Sequence, residues 1–113
     1  MSKLEEKIAL YKSDMKKNGI VIKDESLLEK VAKSLGPSIY NVDSSKVAAS
    51  DPKELETIKK KFLVKKLGLT DGPELDAAIK DVIKQVGSAN RNKHRAVFYT
   101  LLVEKFNKQD LFK

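Results

Sequence analysis

The stretch from Pro73 to Gly87 constrains the fold more than any other, because Leu75, Ala78, Ile79, Val82, Ile83 and Val86 recur every three or four residues, the period of one helix face. A strand would need apolar and polar residues to alternate, and here they do not. The punctuation agrees with the period. Proline is favoured at the first helical position, where its missing N–H is no loss, and glycine just past the end, where the left-handed conformation is easily reached. A helix with one apolar face must bury it, so the remaining chain has to supply partners.

The same grammar recurs along the sequence. Ser2 and Glu5 have capping-box spacing ahead of a stripe of Leu4, Ile8, Tyr11 and Met15, closed by Asn18-Gly19. Asp24 reads as the cap of a second helix carrying Leu27, Leu28, Val31 and Leu35, with Glu29 four residues before Lys33 and Gly36-Pro37 as its end. Residues 37–50 predict irregular chain or short helices. Asp51-Pro52-Lys53-Glu54 is the strongest start signal and predicts a long helix from Pro52 to Leu67, with Glu54 completing a capping box and Gly68 closing the helix. Thr70-Asp71-Gly72-Pro73 then forms a turn into the Pro73 helix, where Asp76 and Lys80 have the spacing of an outer ion pair. A last helix, starting near Ser88 or Asn90, turns Val97, Phe98, Leu101 and Leu102 inward. The expected class is all-α: one compact domain over residues 1–113, a bundle of five to seven helices joined by short turns.

Composition narrows the chemistry. With 41% hydrophobic and 35% charged residues in 113, the chain can build a core under a highly charged surface. It has no cysteine and one histidine, which removes thiolate nucleophiles, disulfides and thiolate metal sites. Asp71-Gly72 with Glu74 and Asp76 lacks the twelve-residue calcium-loop pattern, and the glycines fit no nucleotide fingerprint, so no metal and no cofactor is expected. No apolar run reaches the roughly 18 residues of a membrane span, so no membrane insertion is expected. The opening Met1-Ser2-Lys3-Leu4-Glu5-Glu6-Lys7 does not read as a secretory signal, and together with the absent cysteine it suggests a cytoplasmic setting.

The net charge of +7 is uneven: 9 basic against 7 acidic side chains in residues 1–50, and 14 against 9 in residues 51–113. Such a field would attract a nucleic acid, an anionic membrane surface or an acidic protein, of which an acidic protein or a nucleic acid is the expected partner. In the run Lys59 to Lys66, α-helical spacing at about 100° per residue puts Lys61 and Lys65 on one side, Lys59 and Lys66 beside the apolar stripe of Leu55, Ile58 and Phe62, and Lys60 elsewhere. That is the pattern of a solvated helix whose flanking lysines lay their stems along the core. A second group, Arg91, Lys93 and Arg95, falls at the expected start of the last helix within a stretch free of acidic residues from 82 to 103, with Lys84 near by. Basic residues in a first turn oppose the helix dipole, so they call for a compensating anion, either a ligand or an acidic side chain from elsewhere in the fold.

His94 shares the inward face of its helix with Val97, Phe98 and Leu101. Without a second histidine or a nucleophile motif, a packed histidine explains it better than acid–base catalysis. The expected function is accordingly non-enzymatic: an interaction protein that binds an anionic ligand or partner through a basic helix N-terminus. The alternative is a structural or homo-oligomerising module using an apolar helix face at Tyr99, Val103 and Phe106.

The strings Asp43-Ser44-Ser45-Lys46-Val47-Ala48-Ala49-Ser50-Asp51-Pro52-Lys53-Glu54-Leu55 and Lys65-Lys66-Leu67-Gly68-Leu69, with Leu75-Asp76-Ala77-Ala78-Ile79 and the closing Arg95-Ala96-Val97-Phe98-Tyr99, Leu101-Leu102 and Glu104-Lys105-Phe106, resemble a family of small bacterial proteins known only as a domain of unknown function. The resemblance covers most of the chain after about residue 27. It implies a short, helical, cytoplasmic bacterial protein and transfers no catalytic or binding residue. His94 stands where that family resemblance implies serine, which weakens an imidazole mechanism further.

Overall fold

The computed structural model describes residues 3–20, 22, 25–40, 46, 47, 51–87 and 93–112. Five α-helices form its body: α1 (Lys3–Asn18), α2 (Glu25–Leu35), α3 (Pro52–Thr57), α4 (Pro73–Val86) and α5 (Arg95–Lys105). Two 3-10 turns, Gly36–Tyr40 and Gln109–Phe112, and a π-helix, Ile58–Lys66, complete it. Among the described residues there is no strand. An isolated antiparallel bridge joins Lys46 to His94, with the Val47 N–H donating to the Lys93 carbonyl at 2.8 Å.

The bundle is organised around α5, where every residue from Ala96 to Val103 is buried. A helix apolar on all sides has to be enclosed, and α5 packs between α2 and α4. Thr100, within that run, satisfies its hydroxyl by donating to the Ala96 carbonyl at 2.7 Å. Around this axis α1 packs on α2, and the Gln109–Phe112 turn also packs on α2. The stripe of α4 faces inward as its period predicts: Leu75, Ala78, Ile79, Val82 and Val86 are buried, with Ile83 at the boundary. Gly87 follows with φ 93°, and its N–H donates to the Ile83 carbonyl at 3.0 Å.

Several local expectations are revised. Asp51 does cap α3, accepting from the Lys53 N–H at 3.0 Å, but Glu54 does not close a box: its carboxylate crosses to Arg95. Asp76 pairs with Lys59 at 3.2 Å rather than with Lys80. Lys93 and His94 are not helical, so α5 begins at Arg95 rather than near Ser88 or Asn90. The caps assigned to Ser2 and Asp24, and much of the segment 37–50, lie outside the described residues.

The largest departure lies in the helix that Pro52 starts. It runs as far as expected, yet from Ile58 to Lys66 it is wound as a π-helix, closing at its end with the Leu67 N–H on the Phe62 carbonyl at 2.9 Å. π-winding bonds each residue to the fifth along, so side chains four and five apart become neighbours instead of three and four. Ile58, Phe62, Leu63 and Leu67 then share one face, and all four are buried. Under α-winding, Leu63 and Leu67 would turn away from Ile58 and Lys65 would take their place against the core. Burying two leucines instead of a lysine is the physical reason for the wider coil.

Candidate functional site

The winding sorts the lysines. Lys60, Lys61, Lys65 and Lys66 are exposed, with Lys66 flanking the buried face beside Phe62. Lys60 is engaged with Glu56 one turn earlier, at 2.9 Å. Lys59, at the boundary, extends its ammonium to Asp71 and Asp76 at 3.1 and 3.2 Å, and these hydrogen bonds raise its pKa. Lys66 sits over the Phe112 ring, 5.7 Å from its centroid. Lys61, Lys65 and Lys66 have no carboxylate partner among the described residues. Three neighbouring cations thus carry charge that no carboxylate among the described residues neutralises, with the Lys66 ammonium meeting only the face of Phe112.

Beside them lies a cleft of about 210 Å³ lined by Ser34, Leu35, Lys61, Phe62, Lys66 and Tyr99. The rings of Phe62 and Tyr99 stack at its base, 4.0 Å between centroids and 23° from parallel. Ser34 is held at the end of α2 by donating to the Val31 carbonyl at 2.7 Å.

The basic group expected at the start of α5 has a different fate. Arg95 occupies the first helical position, but its guanidinium is held by the Glu54 carboxylate, donates to the Tyr99 hydroxyl at 2.9 Å and reaches the Lys46 carbonyl at 3.4 Å. Burial opposes its charge; Tyr99 and Glu54 outweigh that, and its pKa is raised. The compensating anion demanded by the helix dipole is therefore an internal carboxylate, and Arg95 has little left to offer an external ligand. Lys93 is 9% exposed and Lys84 lies exposed in the last turn of α4. Arg91 lies outside the described residues.

The apolar face named as an interface is turned inward. Tyr99 is 7% exposed and Val103 fully buried, while Phe106 is half-buried against the core, so these side chains serve internal packing. His94 is 6% exposed, its Nε2 lies 2.5 Å from Asp14 Oδ2, and its ring packs on Tyr11 with centroids 4.9 Å apart. It ties α1 to the entry of α5. Desolvation pushes the buried Tyr11 hydroxyl up to about 12, with Tyr40 adding to the shift. Among the described residues no group of three histidine, aspartate or glutamate side chains is placed to hold a metal ion, and no helix is long and apolar enough to cross a membrane.

Sequence reasoning placed Lys61 and Lys65 together on one side of an α-helix and set Lys66 apart from them, beside the apolar stripe. The signal that would have gathered them is the four-and-five spacing of Ile58, Phe62, Leu63 and Leu67. No curated protein matches the chain. Over residues 10–110 the sequence fits the model of the family described as "Protein of unknown function (DUF2853)", and the chain belongs to that family.

Proposed function

We propose that the protein is a non-enzymatic interaction module whose π-helical lysine face docks an acidic protein surface. The observation that carries this reading is the placement of Lys61, Lys65 and Lys66 together, outside, without carboxylate partners among the described residues. A π-turn within a helix is unusual and often accompanies function, because it displaces side chains from their ordinary register.

An acidic protein suits the face better than a nucleic acid. Of 23 basic residues only Arg91 and Arg95 are arginines, the residue type that grips phosphate in bidentate fashion, and Arg95 is occupied. Three lysines would release about three counterions, a salt slope near −2.7, which is weak for a protein that tracks a phosphate backbone. Point charges over an apolar floor match scattered carboxylates on a folded or extended partner. A cytoplasmic setting in a bacterium belongs to the same proposal, in keeping with a chain free of cysteine and with the family resemblance.

Fluorescence anisotropy with labelled poly-L-glutamate and with a labelled DNA duplex tests it. Poly-L-glutamate should bind in a salt-sensitive way, and Lys61→Gln/Lys65→Gln should weaken it severalfold more than Lys16→Gln/Lys17→Gln, which removes the same charge from the end of α1. Equal loss in the two double variants would reduce the effect to net charge and reject a dedicated face. Tighter binding of the duplex, lost in the same variant, would move the reading to nucleic acid.

A further inference from the structure

The cleft beside the lysine face differs in composition from three other clefts among the described residues. Three larger clefts, of about 350, 300 and 360 Å³ and each bordered by part of α1, include glutamates in their linings: Glu6 in the first, Glu5 and Glu29 in the second, Glu25 in the third. The cleft at Leu35, Phe62 and Tyr99 has an apolar floor, two lysines at its border and no carboxylate in its lining. Lys61 and Lys66 are five residues apart, which π-winding makes direct neighbours, so the coil that buries Leu63 and Leu67 also brings both cations to the same opening.

Size decides between classes of occupant. At about 210 Å³ the cleft falls below the roughly 300 Å³ at which sites for small molecules and cofactors begin, and it is open to solvent on one side. It has room for one apolar side chain rather than for a free-standing ligand. Its floor is rigid, since Phe62 and Tyr99 are stacked and Tyr99 is fixed by Arg95. A preformed pocket for one side chain with cations at its mouth matches an anchor residue flanked by carboxylates.

We infer that this cleft takes a single leucine or phenylalanine side chain from an acidic segment of a partner protein, with Lys61 and Lys66 pairing the carboxylates on either side of that anchor. The inference rests on the lysine face proposed above and adds to it a specific apolar contact. Attraction by charge would bring the segment to the face; burial of the anchor would set its register.

The test uses the intact, nitrogen-15-labelled protein and three blocked pentapeptides: Glu-Glu-Leu-Glu-Glu, Glu-Glu-Ser-Glu-Glu and Gln-Gln-Leu-Gln-Gln. The first is expected to give saturable amide shifts at Ser34, Leu35, Phe62, Lys66 and Tyr99. Replacing its leucine by serine should weaken binding about tenfold or more, the value of burying one such side chain. The glutamine peptide and the Lys61→Gln/Lys66→Gln variant should each weaken it severalfold, and both lysines are exposed enough for the variant to keep its fold. If leucine and serine peptides bind alike, with shifts confined to Lys61, Lys65 and Lys66, the cleft inference falls while the lysine face stands. If the glutamine peptide binds as tightly as the glutamate one, the pocket does not select an acidic segment and the inference falls. Absence of saturable shifts with any of the peptides overturns both.

Discussion

Replacing Leu63, Leu67 and Lys65 one at a time interrogates the π-helix, on which the site depends. Leu63 and Leu67 are 0% and 3% exposed, so Leu63→Ala and Leu67→Ala each remove a buried isobutyl group and leave a cavity. Such changes cost about 2–5 kcal/mol, with about 3 kcal/mol a central value. An unfolding entropy of about 2.1 cal/mol/K per residue over 113 residues gives roughly 0.24 kcal/mol/K, so each variant should melt about 12 °C lower. Lys65 is exposed and without a carboxylate partner among the described residues, so Lys65→Ala should change stability by no more than about 0.5 kcal/mol, and Lys65→Leu should bring no gain from burial. Urea denaturation of the four variants, followed by circular dichroism, supplies the free energies, with unchanged m-values as the check that the folded state is intact. α-winding forecasts the reverse order, because Lys65 would then face the core and its replacement by leucine would stabilise. Near-neutral Leu63→Ala and Leu67→Ala together with a stabilising Lys65→Leu would refute the π-helical face and every inference built on it.

Three other outcomes follow from the contacts around α5. Glu54→Gln should cost about 1–3 kcal/mol, because it leaves the Arg95 guanidinium partly buried at a helix start without its counter-charge, and a double-mutant cycle with Arg95→Gln should recover a favourable coupling. His94→Ala should destabilise by about 2 kcal/mol in thermal melts, because Asp14 loses its partner and Tyr11 its ring contact, and the lysine-face binding should survive; loss of binding with stability intact would contradict the structural role given to His94. Tyr11→Phe should be neutral or stabilising near pH 8, since the buried hydroxyl has no hydrogen-bond partner among the described residues. The sign of its pH dependence is fixed by the raised folded value: the folded state holds the Tyr11 proton between pH 10 and about 12 where the unfolded state releases it. Wild-type stability is therefore drained across that window, and urea titrations at pH 9 and 11.5 should show Tyr11→Phe losing less than wild type.

What could be read from the sequence was whatever depended on one element alone. The α4 stripe, the Asp51-Pro52 start and the glycine after Val86 are local, since period, cap and conformational freedom need no knowledge of neighbours. Assignments that required choosing among partners failed differently. Glu54 had a local use, closing its own cap, and a distant one at Arg95; a carboxylate beside a partly buried guanidinium is worth more than one that shields an exposed amide. Asp76 likewise passed over Lys80 for Lys59, which already leans on Asp71. The enclosed run Ala96–Val103 shows no polar face, and that blankness, rather than a stripe, is the mark of a central helix; it also explains why Tyr99 and Val103 read as surplus apolar surface.

The lysine run was misread for a related reason, and the reason bears on function. A sequence is scanned at the α-helical period, and at that period Lys59 to Lys66 scatter around the axis, the ordinary appearance of a solvated helix. The winding is chosen not by the lysines but by Ile58, Phe62, Leu63 and Leu67, whose spacing suits a coil with one more residue between neighbours. Burial energy of several kcal/mol for two leucines thus sets the register of the charged side as well. Core and site are in this sense one decision: a substitution that let the helix relax to α-winding would bury nothing new of value, turn Lys65 inward and separate Lys61 from Lys66. Binding through this face should accordingly track the integrity of Leu63 and Leu67, residues that no partner touches. Leu67→Ala should weaken poly-L-glutamate binding even under conditions where the variant remains fully folded, whereas a core truncation remote from the π-helix, Val82→Ala in α4, should lower the melting temperature and leave that affinity unchanged.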